Sequence, residues 1–127
     1  MKIKNTMIIL SFITGFVGSI FLFFPKFITT TIFPEASEEG IIIGVYHRQV
    51  IGTLVYIWAV YHWIMRDVGE LTARRFLFGS GLCFLINALI VVKISLIDNV
   101  TEFPYIPFAF LFSLSIYAFI NSRKIPQ

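Results

Sequence analysis

The chain has 127 residues, of which 57% are hydrophobic and 13% are charged, and its formal net charge is +3. The charged share is about half of the usual value, which excludes an ordinary soluble domain and indicates an integral membrane protein. The excess of lysine and arginine requires no nucleic acid partner, since basic residues in short loops orient membrane proteins and contact anionic lipid headgroups.

Four apolar segments are long enough to cross a membrane as helices. A hydrocarbon core of ~30 Å needs roughly 17–25 helical residues, so each segment crosses once. We therefore predict an all-α fold, a four-helix transmembrane bundle that forms one domain over residues 1–127. The predicted spans are residues 5–24, 40–65, 74–97 and 103–121, with an outer interfacial loop at residues 25–39.

The first span carries a stripe of small residues. Ser11, Gly15 and Ser19 recur at four-residue spacing, and such stripes allow helix backbones to approach closely in lipid. We interpret the stripe as a packing face within the chain, with a homodimer seam as the alternative. The span ends at Pro25, and the segment that follows is too short to cross. This segment is expected to lie along the interface as a short helix or an extended hairpin, with Lys26 at the level of the headgroups.

The start of the second span carries a capping pattern. Ser37 is predicted to cap this helix, and Glu38 and Glu39 suit the positive end of its dipole.

The second span contains three polar residues, His47, Arg48 and Gln49, several positions inside its apolar run. An arginine at this depth is costly unless something faces it. Gly44 and Gly52 lie one turn before and one turn after Arg48 on the same helical face, which leaves room around its side chain. Two interpretations stay open. Arg48 either reaches outer headgroups or backbone carbonyls as a structural residue, or binds an anionic group in a cleft open to the outside.

The third span has one amide, Asn87, near the middle of the membrane. Asn87 is predicted to hydrogen-bond another helix. The alternative is that it lines the same cleft as Arg48, from which it is displaced by ~6 Å along the axis. Lys93 is expected to reach the outer surface beside Asp98. Residues 99–101 match the glycosylation motif, but this motif is frequent by chance and here lies against the membrane.

The basic residues predict the orientation of the chain. Four crossings place the N-terminus, the loop between the second and third spans and the C-terminus on one side, and this side holds most of the lysines and arginines outside the spans or at their ends. By the positive-inside rule that side is cytoplasmic, so both termini are expected inside. The residues concerned are Lys2, Lys4, Arg66, Arg74, Arg75, Arg123 and Lys124.

No motif for catalysis, metal binding or nucleotide binding is present. His47 and His62 have a spacing of ~22 Å along the second span, which is suited to two stacked haems. Each haem iron would need a second axial ligand, however, and the chain has only these two histidines. We therefore expect no metal and no cofactor. The spans contain no aspartate or glutamate to act as a general base, which disfavours an enzyme without excluding one.

Several features are shared with a known group of proteins. These are an apolar first helix ended by Phe24-Pro25, a loop containing Pro34, Arg48 four residues before Gly52, a turn ending in Ala73-Arg74-Arg75, and Asn87. In this layout, over about the first three spans, the chain resembles the small four-span bacterial membrane proteins of the DoxX-like group. The resemblance implies a compact four-helix bundle. It implies no activity, because the group has no agreed one.

The polar residues of the spans suit binding better than catalysis. Arg48, His47 and Gln49, with Asn87 and Ser19, are predicted to form a patch of hydrogen-bond donors in the outer half of the bundle. Arginine recognises carboxylates and phosphates in a bidentate manner, and the many phenylalanines suit an apolar tail.

These features predict a multi-pass protein of the cell (cytoplasmic) membrane that binds or translocates an anionic amphiphile or lipid headgroup near Arg48. Membrane lipids are the expected partners, and transport would require a homo-oligomer because one four-helix chain is small. The alternative is an accessory or structural subunit of a larger membrane complex with no ligand of its own.

Overall fold

The computed structural model describes residues 3–98 and 102–123, and these residues are all helical apart from short connections. Lys2, Lys124 and the glycosylation motif at residues 99–101 lie outside the described residues. The helices are α1 (Ile3–Phe23), α2 (Pro25–Ile32), α3 (Glu38–Met65), α4 (Glu70–Val92), which continues into a π-helical segment (Lys93–Ile97), and α5 (Tyr105–Arg123).

Four of these helices are long and apolar enough to cross a membrane: α1, α3, α4 with its π-helical extension, and α5. Most of their large apolar side chains are exposed on the surface of the chain, as expected of residues that contact lipid. The prediction of an all-α protein with several membrane-spanning helices is confirmed. The orientation of its termini stays a prediction.

The loop predicted at residues 25–39 contains the short helix α2. Pro25 occupies its first turn, where a missing N–H group costs nothing. The three threonines of α2 satisfy their hydroxyl groups inside the helix, since Thr29, Thr30 and Thr31 donate to carbonyl oxygens four residues earlier, at 2.8, 3.0 and 2.8 Å. Such back-bonding lets hydroxyl groups lie in an apolar setting without further partners.

The start of α3 follows the predicted capping pattern. The Oγ atom of Ser37 accepts a hydrogen bond from the N–H of Gly40 at 3.2 Å, which satisfies one of the free donors of the first turn. Glu38 and Glu39 also lie in this turn, where negative charge is favoured by the helix dipole.

The chain divides into two compact units. The first unit, Met7–Ile64, contains nearly all of α1 together with α2 and α3. The second unit contains the residues up to Thr6 and those from Met65 onward, and thus α4 and α5. The single four-helix domain stays a prediction.

In the second unit, α4 and α5 pack against each other. The hydroxyl of Ser115 donates to the carbonyl oxygen of Gly81 at 2.9 Å in a buried position, and the rings of Phe78 and Phe119 are 5.4 Å apart. Closer to the predicted inner end of the unit, Nη1 of Arg74 lies 3.3 Å from the carbonyl oxygen of Ser122. The two helices are therefore joined near both their middle and one end.

An ion-pair cluster connects the start of α1 with the connection between α3 and α4. Nζ of Lys4 lies 2.7 Å and Nε of Arg66 lies 2.9 Å from carboxylate oxygens of Asp67. Hydrogen bonds from these two cations hold the pKa of Asp67 below its usual value. At the other end of α4, Lys93 forms an ion pair across the π-helical segment with Asp98, the residue beside which it was predicted to lie.

Candidate functional site

Glycines allow α1 and α3 to approach each other closely. A Cβ atom added to Gly52 would lie 3.0 Å from the carbonyl oxygen of Gly18 and 3.0 Å from the backbone nitrogen of Leu22. About two turns after Gly52 in α3, the carbonyl oxygen of Ala59 accepts a hydrogen bond of 2.8 Å from the hydroxyl of Ser11. The small residues of α1 are thus used for packing within the chain, as predicted.

The packing of α2 against α3 also depends on a glycine. A Cβ atom at Gly44 would overlap the methyl group of Thr29, and Thr29 is almost fully buried. Only glycine lets the two backbones come this close. The contact fixes α2 alongside the N-terminal part of α3.

Arg48 lies between these two contacts. It is one turn after Gly44 and one turn before Gly52, so all three residues occupy the face of α3 that is directed toward α1 and α2. The residue is half-buried, and its Nε atom is buried without a hydrogen bond among the described residues. None of the ion pairs found in the described part of the chain includes Arg48. A buried cationic donor of this kind is costly unless a ligand completes it.

Lys26 and Arg48 each lie, along the chain, between residues that make the two glycine contacts. Leu22 of α1 packs against Gly52, and Thr29 of α2 packs against Gly44. Lys26 falls between Leu22 and Thr29 along the chain, as Arg48 falls between the two glycines. One cation therefore belongs to α2 and the other to α3, and both are flanked by residues of these two contacts.

A surface groove with a volume of about 570 Å³ runs between α2 and α3. We call it the α2–α3 groove. It combines two charged residues and one amide with an apolar wall, and it is lined by Lys26, Glu38, Ile41, Ile42, Val45, Tyr46 and Gln49. Gln49 is the lining residue furthest from the start of α3, and Arg48 adjoins it in the helix.

A second groove, of about 380 Å³, runs between α1 and α3. Its floor contains small residues, including Ser11, Gly15 and Ser19, and aromatic side chains such as Phe12 and Trp63 form its sides. The hydroxyl of Ser19 donates to the carbonyl oxygen of Gly15 at 2.9 Å. Ser19 and Gln49, which were predicted to share a site, thus line different grooves.

The other predicted site residues satisfy their polar groups locally. His47 is exposed, and its Nδ1 lies 2.9 Å from the carbonyl oxygen of Ile43. Asn87 belongs to the second unit, is exposed, and donates from Nδ2 to the carbonyl oxygen of Cys83 at 2.9 Å. This amide donor is used within α4, whereas the sequence predicted a bond to another helix. A role for Asn87 in ligand binding stays a prediction.

Sequence reasoning assigned Lys26 and Glu38 to separate tasks and missed that they line one groove. Lys26 was interpreted as a headgroup anchor, and Glu38 as a partner of the helix dipole. Both assignments rest on local signals, whereas their proximity arises from the packing of α2 on α3. Within residues 3–98 and 102–123, no group of three histidine, cysteine or acidic side chains is placed to hold a metal ion.

Comparisons with known proteins identify no relative. No family model matches the chain, and no curated protein or solved structure is significantly similar to it. The resemblance to the DoxX-like group stays a prediction.

Proposed function

We propose that this protein binds an anionic amphiphile, with the negatively charged group held by Arg48, Lys26 and Gln49 and the apolar part along the α2–α3 groove. The proposal depends on one observation, the unsatisfied hydrogen-bond donor of Arg48. Its guanidinium belongs to a membrane-length helix, its Nε is buried without a hydrogen bond among the described residues, and anions are the natural partners of such a group.

The chemistry of the groove is consistent with such a ligand. Lys26 supplies a positive charge to the groove, and Gln49 supplies an amide that can donate to phosphate or carboxylate oxygens. Arg48 does not line the groove, but it adjoins Gln49 in α3 and brings a second positive charge next to it. Between Glu38 and Gln49, Ile41, Ile42 and Val45 provide an apolar wall. An amphiphile would thereby neutralise the arginine while its tail stays in an apolar environment.

The proposal includes an orientation and a location. We place the protein in the cytoplasmic membrane with both termini inside, because the basic residues that flank the spans then lie on the cytoplasmic side. The α2–α3 groove would open toward the outer half of the membrane, where an outer-leaflet lipid has direct access. Translocation would need a larger assembly than one chain.

The test is native mass spectrometry of the protein in mild detergent, mixed with phosphatidylglycerol as the anionic probe. We expect wild type to retain the lipid and Arg48→Ala to lose affinity by about tenfold or more, since hydrogen bonds to charged groups contribute about 1.5–3 kcal/mol. Arg75→Ala is the matched control, because Arg75 is an exposed arginine outside the groove. It should bind as wild type does.

A second pair of variants keeps the test decisive if Arg48→Ala fails to fold. Ile42 lines the groove and Ile57 does not, although they are on the same helix with similar exposure, 50% and 46%. Ile42→Trp should block lipid binding, and Ile57→Trp should leave it unchanged. If wild type binds no more lipid than folded Arg48→Ala and Ile42→Trp, the binding function is wrong and the accessory-subunit alternative takes its place.

A further inference from the structure

The α2–α3 groove contains a negative charge as well as a positive one. Lys26 enters it from the first turn of α2, and Glu38 enters it from the first residue of α3. Among the described residues the two do not form an ion pair with each other or with any other side chain. A groove for a simple anion would gain nothing from a carboxylate at its rim, since like charges repel.

The helix dipole does not account for the position of Glu38. Glu38 and Glu39 both lie in the first turn of α3, and either satisfies the preference of that turn for negative charge. Only Glu38 lines the groove. Its carboxylate is therefore available to a ligand in a way that the carboxylate of Glu39 is not.

We propose that the groove takes a phospholipid whose headgroup joins a phosphate to a primary amine, as in phosphatidylethanolamine, an inference that rests on the function proposed above. The phosphate contacts Lys26 and Arg48, and the ammonium group donates to Glu38. A carboxylate only accepts hydrogen bonds and an ammonium only donates them, so the pairing is chemically matched.

The dimensions of the groove agree with this arrangement. The rise along α3 from Glu38 to Arg48 is about 15 Å. The extended side chains of these residues, together with a headgroup between them, cover that length. Ile41, Ile42 and Val45 lie between these two residues and give the same stretch of the groove an apolar wall, which the glycerol and first acyl carbons of a lipid can contact. This wall favours a lipid over a free phosphorylated amine.

The experiment is a competition measured by native mass spectrometry on the full chain, with equimolar phosphatidylethanolamine and phosphatidylglycerol of the same acyl chains. Wild type should retain the ethanolamine lipid in preference. Glu38→Gln should lower the ratio of bound ethanolamine lipid to bound glycerol lipid by about two- to fivefold, the range expected of one partly exposed charge pair. Glu39→Gln is the matched control and should keep the wild-type ratio.

Two further competitors test which part of the lipid the protein recognises. Phosphatidylcholine has a quaternary amine without N–H donors and should compete less well than the ethanolamine lipid. Free O-phosphoethanolamine should not displace the lipid, and displacement at equal concentration would overturn the assignment to a lipid. If wild type and Glu38→Gln show the same ratio, the role of Glu38 is wrong while anion binding stands. If wild type retains neither lipid, both proposals fail.

Discussion

Single glycines determine how closely the helices of the first unit approach. At Gly52 the neighbours of an added Cβ atom include two backbone atoms, the carbonyl oxygen of Gly18 and the nitrogen of Leu22, each at 3.0 Å. Backbone atoms cannot rotate away as the end of a side chain can. Gly79, also in a membrane-spanning helix, has nothing within 4 Å of its added Cβ. Alanine improves the helix propensity at both positions, but only at Gly52 does it also crowd backbone atoms.

We expect Gly52→Ala to destabilise the protein by about 1–3 kcal/mol, the usual cost of overpacking a tight contact. Gly79→Ala should be neutral or stabilising by up to about 1 kcal/mol, since alanine is the better helix former. The measurement is the free energy of unfolding in mixed micelles titrated with a denaturing detergent. Equal stability of both variants and wild type would show that α1 and α3 are not in close contact at Gly52.

At the scale of elements, the pairing of α4 with α5 includes a buried polar contact. Ser115 is buried and donates to the carbonyl oxygen of Gly81 at 2.9 Å, whereas Ser113, on the same helix, is exposed. We expect Ser115→Ala to cost about 0.6 kcal/mol and no more than about 1.7 kcal/mol, the average and the maximum measured for hydrogen bonds between membrane helices. Ser113→Ala should cost nothing in the same unfolding assay. The interhelical bond would be contradicted if the two substitutions had the same effect.

The positions of the spans could be predicted from the sequence because their signals are local. Apolar runs of membrane length predicted four crossing helices, Pro25 predicted the end of the first, and Ser37 with its glutamates predicted the start of α3. The structure agrees on each of these points. For α2 the sequence left helix and hairpin open, since eight residues with three threonines suit either.

The candidate site could be predicted only in part, because it depends on packing between elements. The apolar context of Arg48 and its flanking glycines are visible in the sequence. The α2–α3 groove is not visible there, since it brings Lys26 of one helix together with residues of another. For Asn87 the sequence predicted a contact between helices, and the structure shows a local one. An asparagine in a helix can donate to the carbonyl oxygen four residues earlier, and this local bond replaced the predicted bond to another helix.

For the whole molecule, contacts within the second unit gather the basic residues at one end. Lys4, at the start of α1, pairs with Asp67 in the connection between α3 and α4. Arg74, in the first turns of α4, reaches the carbonyl oxygen of Ser122 near the end of α5. The start of one span, the connection between two others and the end of the last are thus brought together. This grouping supports the proposed orientation, in which that end is cytoplasmic.

The orientation predicts which engineered cysteines an impermeant maleimide reaches in intact cells. In a Cys83→Ala background, Glu35→Cys places a thiol in the connection between α2 and α3, and Val68→Cys places one in the connection between α3 and α4. Both positions are exposed, so a difference in labelling reports the side of the membrane and not burial. We expect Glu35→Cys to be labelled in intact cells and Val68→Cys only after permeabilisation. The reverse pattern would place the α2–α3 groove on the cytoplasmic side, and equal labelling would indicate that the chain inserts in both orientations.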